Sequence, residues 1–189
     1  FAAVTNFIMT PRHNPERFIK SYPLRFAAIG TVFYLITCLQ GAFQTSGMFN
    51  WFIHFTEWVP AHAHIAILGA FTLYAISAVY YIIPRVTGRQ IWSRRLASWH
   101  FWLLAVGIPA FWTIFTMSGI VMGYGVNQLG STIYEMTGPL KALRAARTIA
   151  GGFIVLGMWI FAYNIFMTLR KGKPFIDGES EEVPEAESG

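Results

Sequence analysis

The sequence predicts an all-α protein, a polytopic bundle of transmembrane helices with four full spans and the end of a preceding helix. Two observations carry this. The 189-residue chain is 54% hydrophobic and only 12% charged, where soluble domains carry about 25% charged residues. The charges are also segregated: every Lys and Arg lies outside four uncharged runs, and six of the nine acids follow Lys173.

Taken in order, Phe1–Met9 is apolar and reads as the tail of a helix whose start precedes Phe1. The chain is therefore expected to be a fragment, a processed product or one piece of a split subunit. Thr10–Arg25 is polar and basic, and His13-Asn14-Pro15 reads as a turn, with His13 exposed. The spans are expected at about 26–47, 61–84, 96–124 and 148–169, each near the length of about 20 residues that crosses a bilayer. Gln40 and Gln44 in the first span read as polar groups satisfied against neighbouring helices. Asn50–Val59 is a short connection carrying His54, Glu57, Trp51 and Trp58, the tryptophans suiting a membrane–water interface. Tyr80 and Tyr81 read as an aromatic belt at the far end of the second span.

Arg85–Arg95 is a basic loop with a Thr87-Gly88 turn. In the third span, Gly107-Ile-Pro109 predicts a kink, and His100 reads as a structural hydrogen-bonding residue. Gly125–Arg147 is a longer connection holding Glu135, Lys141, Arg144 and Arg147, with Pro139 opening a short amphipathic helix before the fourth span. Gly151, Gly152 and Gly157 allow close packing there. Arg170-Lys-Gly-Lys173 stops the span, and residues 174–189 form an acidic tail expected to be disordered. Residues 1–173 make up the membrane region.

Charge also sets the expected topology. Three loop regions on one side hold Arg12 to Arg25, Arg85 to Arg95 and Arg170 to Lys173, against Lys141, Arg144 and Arg147 on the other. The positive-inside rule then puts both termini in the cytoplasm. The basic balance belongs to this topology and does not point to nucleic acid. The single cysteine, Cys38, excludes a disulfide within the chain, and no Cys-x-x-Cys-His is present for covalent haem attachment.

The chemistry concentrates in His54-Phe-Thr-Glu57-Trp58-Val-Pro60-Ala-His62-Ala-His64, which leads directly into the second span. Pro60 suits the first turn of a helix, where a missing N–H costs nothing. His62 and His64 then sit just inside that helix, separated by roughly 200° around its axis. They point to opposite faces and suit two separate partners better than one metal ion. The neighbours are small (Ala61, Ala63, Ala66, Gly69, Ala70), so a broad, flat group such as haem could lie close. The plainer reading is close helix packing with the histidines as polar glue. Two histidines at this spacing, preceded by a third His and a Glu, favour ligation.

This stretch resembles the tenth-helix motif of the haem–copper oxygen reductases, most closely the cbb-type catalytic subunit. Arg25-Phe-Ala-Ala-Ile-Gly, Thr37-Cys-Leu-Gln-Gly41, Tyr80-Tyr-Ile-Ile-Pro-Arg85, Trp99-His-Phe-Trp102 and Ala162-Tyr-Asn164 agree with it. The likeness runs to about Lys173 and corresponds to the last third of a twelve-helix subunit. The resemblance implies that His62 is the proximal ligand of a high-spin haem at the oxygen site, and that His64 is one axial ligand of a low-spin haem b. It places His54 and Glu57 at the haem propionates. There they act either as a proton-loading group, for which a histidine is suited, or as a fixed ion-pair clamp on the propionates or an adjacent loop.

The copper expected at the site would be liganded outside this chain, as would the second low-spin haem ligand. The implied partners are the N-terminal part of the same subunit, c-type cytochrome subunits or cytochrome c, O2 and membrane lipid. The implied setting is a bacterial or archaeal cytoplasmic membrane, and the implied activity is reduction of O2 to water coupled to proton translocation. A nitric oxide reductase large-subunit fragment and a non-catalytic membrane assembly piece are the alternatives.

Overall fold

The computed structural model describes residues 21–175 together with Val4, Thr5 and Met9. The expectations for His13 and for residues 176–189 fall outside the described residues. So does most of Phe1–Met9, of which Val4, Thr5 and Met9 are helical.

Among the described residues, four helices are long and apolar enough to cross a membrane. They are α1 (Tyr22–Gln44), α3 (Trp58–Thr87), α4 (Arg94–Asn127) and α5 (Thr137–Lys171), with a short α2 (Gly47–Ile53) between α1 and α3. Three of the ends have a clear local cause. Pro23 lies in the first turn of α1. Gly88, at φ 62°, closes α3 in the left-handed conformation that glycine tolerates without steric cost. The Ser93 hydroxyl caps α4 by accepting from the Leu96 N–H at 3.3 Å.

Two elements differ from the sequence reading. Pro139 does not open a separate amphipathic helix, because α5 runs unbroken from Thr137 to Lys171. A proline in the first turn removes an N–H that has no helical partner, so it starts the helix without interrupting it. Within α3, Ile65–Phe71 is π-helical, directly after His64. Such widened turns are rare and concentrate at functional sites.

The helices are held by close approach and by buried polar bonds, since lipid offers little hydrophobic drive for one helix to meet another. On the inner faces of α1, α3, α4 and α5 a continuous core forms around Phe26, Phe33, Leu73, Tyr80, Leu104 and Ile154. Gly157 of α5 lies so near α4 that a Cβ there would run into the Leu104 side chain. Gly152, by contrast, faces open space.

At one end of the bundle, Asn164 is fully buried. Its Oδ1 accepts from the Ser93 N–H at 3.1 Å, and its Nδ2 donates to the Ser93 carbonyl at 3.0 Å. One turn on, the Thr168 hydroxyl accepts from the Trp92 N–H at 3.0 Å. His100 is also fully buried, with Nδ1 3.1 Å from the Tyr80 hydroxyl and its ring stacked on Phe161 at 4.9 Å. Tyr80 therefore does not serve as an aromatic belt. It is 3% exposed and bonded inside the bundle, whereas Tyr81 beside it is 52% exposed. A tyrosine at a span's end faces inward when a polar partner such as His100 awaits its hydroxyl.

Asn164→Ala should strand two backbone groups of Ser93, at about 1–3 kcal/mol for each group left unpaired. The expected result is a clear drop in the thermal midpoint of the purified assembly, larger than for Ala substitution of the exposed neighbour Tyr163.

Candidate functional site

The site is built where α2, the following loop and the start of α3 press onto α4. Gly119 and Gly123, one turn apart on α4, make the seat. A Cβ at Gly119 would collide with the backbone of Trp58, and one at Gly123 would come within 2.6 Å of the Phe52 carbonyl. Asn127, a further turn along, donates from Nδ2 to that same carbonyl at 2.9 Å. Phe55 turns the chain back with φ 61°, a left-handed conformation costly for a side chain of this size. The turn is held by Thr56, whose hydroxyl donates to the Ile53 carbonyl at 2.6 Å and accepts from the Trp58 N–H at 3.3 Å.

Glu57 fixes this turn to the rest of the bundle. Its carboxylate accepts from Arg144 Nε at 2.8 Å and Arg147 Nη1 at 2.9 Å, both on α5, and from the Ser118 hydroxyl on α4. Arg147 also lies over the Phe115 ring, 4.0 Å from its centroid. Burial pushes the Glu57 carboxyl upward. The Ser118 hydrogen bond and the two guanidinium ions outweigh that and hold it below the ordinary glutamate value. A carboxylate carrying these three bonds is a fixed anion.

His62 and His64 face different neighbours. The His62 ring lies against Gly41 of α1, where a Cβ would meet its Cε1 at 3.4 Å. The His64 ring lies against α4, 5.5 Å from Phe111 and 5.4 Å from Phe115, centroid to centroid. His64 Nδ1 is 2.6 Å from the Pro60 carbonyl. A carbonyl can only accept, so Nδ1 carries the proton and Nε2 is left with the lone pair that can ligate a metal. His62 Nδ1 is buried without a hydrogen-bond partner among the described residues, as are Gln40 Nε2, Trp58 Nε1 and Thr116 Oγ1. Gln40 is satisfied on its other atom, Oε1 accepting from Trp112 Nε1 at 3.3 Å.

His54 stands apart from these groups. It is exposed, with its ring 4.1 Å from that of Phe55, and among the described residues no hydrogen bond or ion pair joins it to Glu57. The small residues around the histidines also divide. Gly69 and Ala70 are buried against α1, Gly69 beneath the Phe33 ring, while Ala63 is exposed. Ser118, Gly119, Gly123, Arg144 and Arg147 were not marked as site residues by sequence reasoning. The signal available for the glycines was their four-residue spacing, which lets another segment approach a membrane helix closely.

Among known proteins, the family model for cytochrome c and quinol oxidase polypeptide I matches residues 1–153. The chain is 30% identical over 164 residues to the cbb3-type cytochrome c oxidase subunit CcoN1 of Stutzerimonas stutzeri, covering 82% of this chain and 35% of that protein. It is 22% identical over 158 residues to a nitric oxide reductase subunit of the same organism, covering 77% and 33%. A solved heme–copper terminal oxidase dimer matches its fold with a TM-score of 0.66 at 20% identity, over 86% of this chain and 29% of that one. The chain thus spans about a third of the length of the curated relatives it matches.

Glu57→Gln should loosen the Arg144 and Arg147 contacts and lower stability by about 1–2 kcal/mol, modest because the guanidinium groups are partly solvated. A carboxylate held below its ordinary value stabilises the fold at neutral pH. That contribution fades as pH drops below about 4.3 and through the folded value. Thermal midpoints measured down an acid series should therefore fall more steeply for the native protein than for Glu57→Gln. Parallel curves would remove Glu57 from this role.

Proposed function

Since the chain belongs to the cytochrome c and quinol oxidase polypeptide I family, we propose that it forms the haem-bearing C-terminal part of the catalytic subunit of a respiratory terminal oxidase. The complete enzyme would take electrons from cytochrome c, directly or through c-type cytochrome subunits. It would reduce O2 to water and move protons across the membrane. The remaining helices, with the ligands for copper and the second ligand of the low-spin haem, would come from the N-terminal part of the subunit. Both ends of this chain would lie on the cytoplasmic side, by the excess of cations there.

The observation that carries this reading is the pair of imidazoles at the start of α3, each aimed at a different neighbouring helix. Among the described residues no three His, Cys, Asp or Glu side chains gather into a site for a bare metal ion. The chemistry of this donor set fits single axial ligands to iron already held by a porphyrin. His64, with Nδ1 engaged by the Pro60 carbonyl, would hold the low-spin haem b through Nε2. His62 would hold the high-spin haem, and its buried Nδ1 would find a partner outside this chain. The haem held by His62 would supply the chemistry of diatomic reduction, and the one held by His64 electron transfer.

The chain's own residues set the geometry. Pro60 orients His64 through its carbonyl. Glu57 holds Arg144 and Arg147 and anchors the turn that aims both histidines, which suits a fixed clamp better than a proton-loading group. His54 is exposed and takes no part in this anchor among the described residues. A nitric oxide reductase large-subunit fragment is the second reading, favoured by the match to the nitric oxide reductase of Stutzerimonas stutzeri.

His62→Ala and His64→Ala should act on different haems in the purified complex. His62→Ala is expected to abolish the carbon monoxide-reactive signal, and His64→Ala the low-spin signal. Unchanged haem content in both variants would leave only a membrane packing role.

A further inference from the structure

Two basic segments that are far apart in the chain meet on one face of the bundle. One is the junction of α3 and α4, with Arg85 in the last turn of α3, Arg89 in the loop, and Arg94 and Arg95 in the first turn of α4. The other is the end of α5, with Arg170, Lys171 and Lys173. Neutral bonds fasten them together. The Gln90 N–H donates to the Lys173 carbonyl at 2.8 Å and the Phe175 N–H to the Gly88 carbonyl at 2.8 Å, and Arg89 and Pro174 form an antiparallel bridge. Arg89 Nη1 donates to the Arg170 carbonyl at 3.1 Å, a bond that leaves its charge uncompensated.

Like charges are thereby held side by side. Among the described residues the only carboxylates are Glu57 and Glu135, and both lie at the other end of the helices. Apart from Arg89, these cations are all exposed. Arg94 and Arg95 occupy the first turn of α4, where the helix dipole is already positive, so they add to the local potential. Arg85 lies 3.8 Å over the Tyr81 ring and Arg170 4.7 Å over Phe166, both exposed aromatics. These are amphipathic contacts suited to the boundary between acyl chains and headgroups.

We propose that the α3–α4 junction, from Arg85 to Arg95, and the end of α5 form a binding site for the phosphate headgroup of an anionic phospholipid. Its acyl chains would lie in the lipid beside α3 and α5. The platform sits where two membrane spans end, so its counter-charge is at hand in the headgroup layer, and an anionic lipid adds net negative charge there. The inference is independent of the haem assignment.

The test uses the native complex in nanodiscs of phosphatidylcholine with phosphatidylglycerol as the probe, bound lipid being counted by native mass spectrometry. The native protein should retain phosphatidylglycerol over phosphatidylcholine. Arg94→Gln with Arg95→Gln should weaken that preference by about fivefold for each cation removed. Arg94→Lys with Arg95→Lys should preserve most of it, and Lys141→Gln, on the opposite face, all of it. Equal retention by the glutamine pair and the native protein would overturn the proposal. Displacement of the lipid by inorganic phosphate would also overturn it and assign the site to a free anion. A preference that emerges only when the chain is cut after Ile176 would overturn it too, by assigning the platform to the acidic tail. If the glutamine pair fails to assemble, the choice made by the native protein between the two lipids decides the matter.

Discussion

The start of α3 must be held so that two imidazoles, two residues apart, face two different helices. The bond set on Glu57 does most of this holding. One carboxylate gathers Ser118 of α4 with Arg144 and Arg147 of α5, and it sits at the residue before α3 begins. A carboxylate that loses its partners in a half-buried position is costly, so the turn cannot drift without leaving three donors and an anion unpaired. The glycine seat on α4 acts in the same direction. Gly119 and Gly123 let the α2–α3 turn approach to a distance that any side chain there would forbid. Pro60, one turn before His64, supplies the carbonyl that fixes that ring.

The opposite end of the bundle is closed by a different chemistry. There Asn164, Thr168, His100 and Tyr80 pair neutral groups that are buried away from lipid and water. Anchoring charge lies at one end and neutral hydrogen bonding at the other, with mostly apolar packing between. Arg85, Arg94, Arg95, Arg170, Lys171 and Lys173 collect outside the neutral end, away from Glu57 and Glu135, the carboxylates among the described residues.

Much of this was legible in the sequence. Charge segregation marked the four spans, because a charged residue within lipid is costly. The helical angle alone separated the faces of His62 and His64. Other features were not legible. Arg144 and Arg147 read as loop cations, since their partner Glu57 lies 87 and 90 residues away and nothing local signals the pairing. The same loop reading split α5, because Pro139 looks like a boundary although in a first turn it is none. The π-helical stretch after His64 has no compositional mark, as widening a turn by one residue depends on what the helix packs against. Tyr80 and Tyr81 are identical in type and adjacent. Only the position of His100 on another helix decides which of them turns inward.

The proposed role of His62 and His64 is to bind two haems within one larger oxidase. It is tested most directly by the metal content of the native complex purified from membranes. Non-covalent haem at both positions, accompanied by copper in an amount matching the high-spin haem, is the expected result. Non-haem iron in place of copper would shift the reading to nitric oxide reduction. Absence of haem from the intact complex would contradict the account, leaving the histidine pair as packing residues of a membrane bundle.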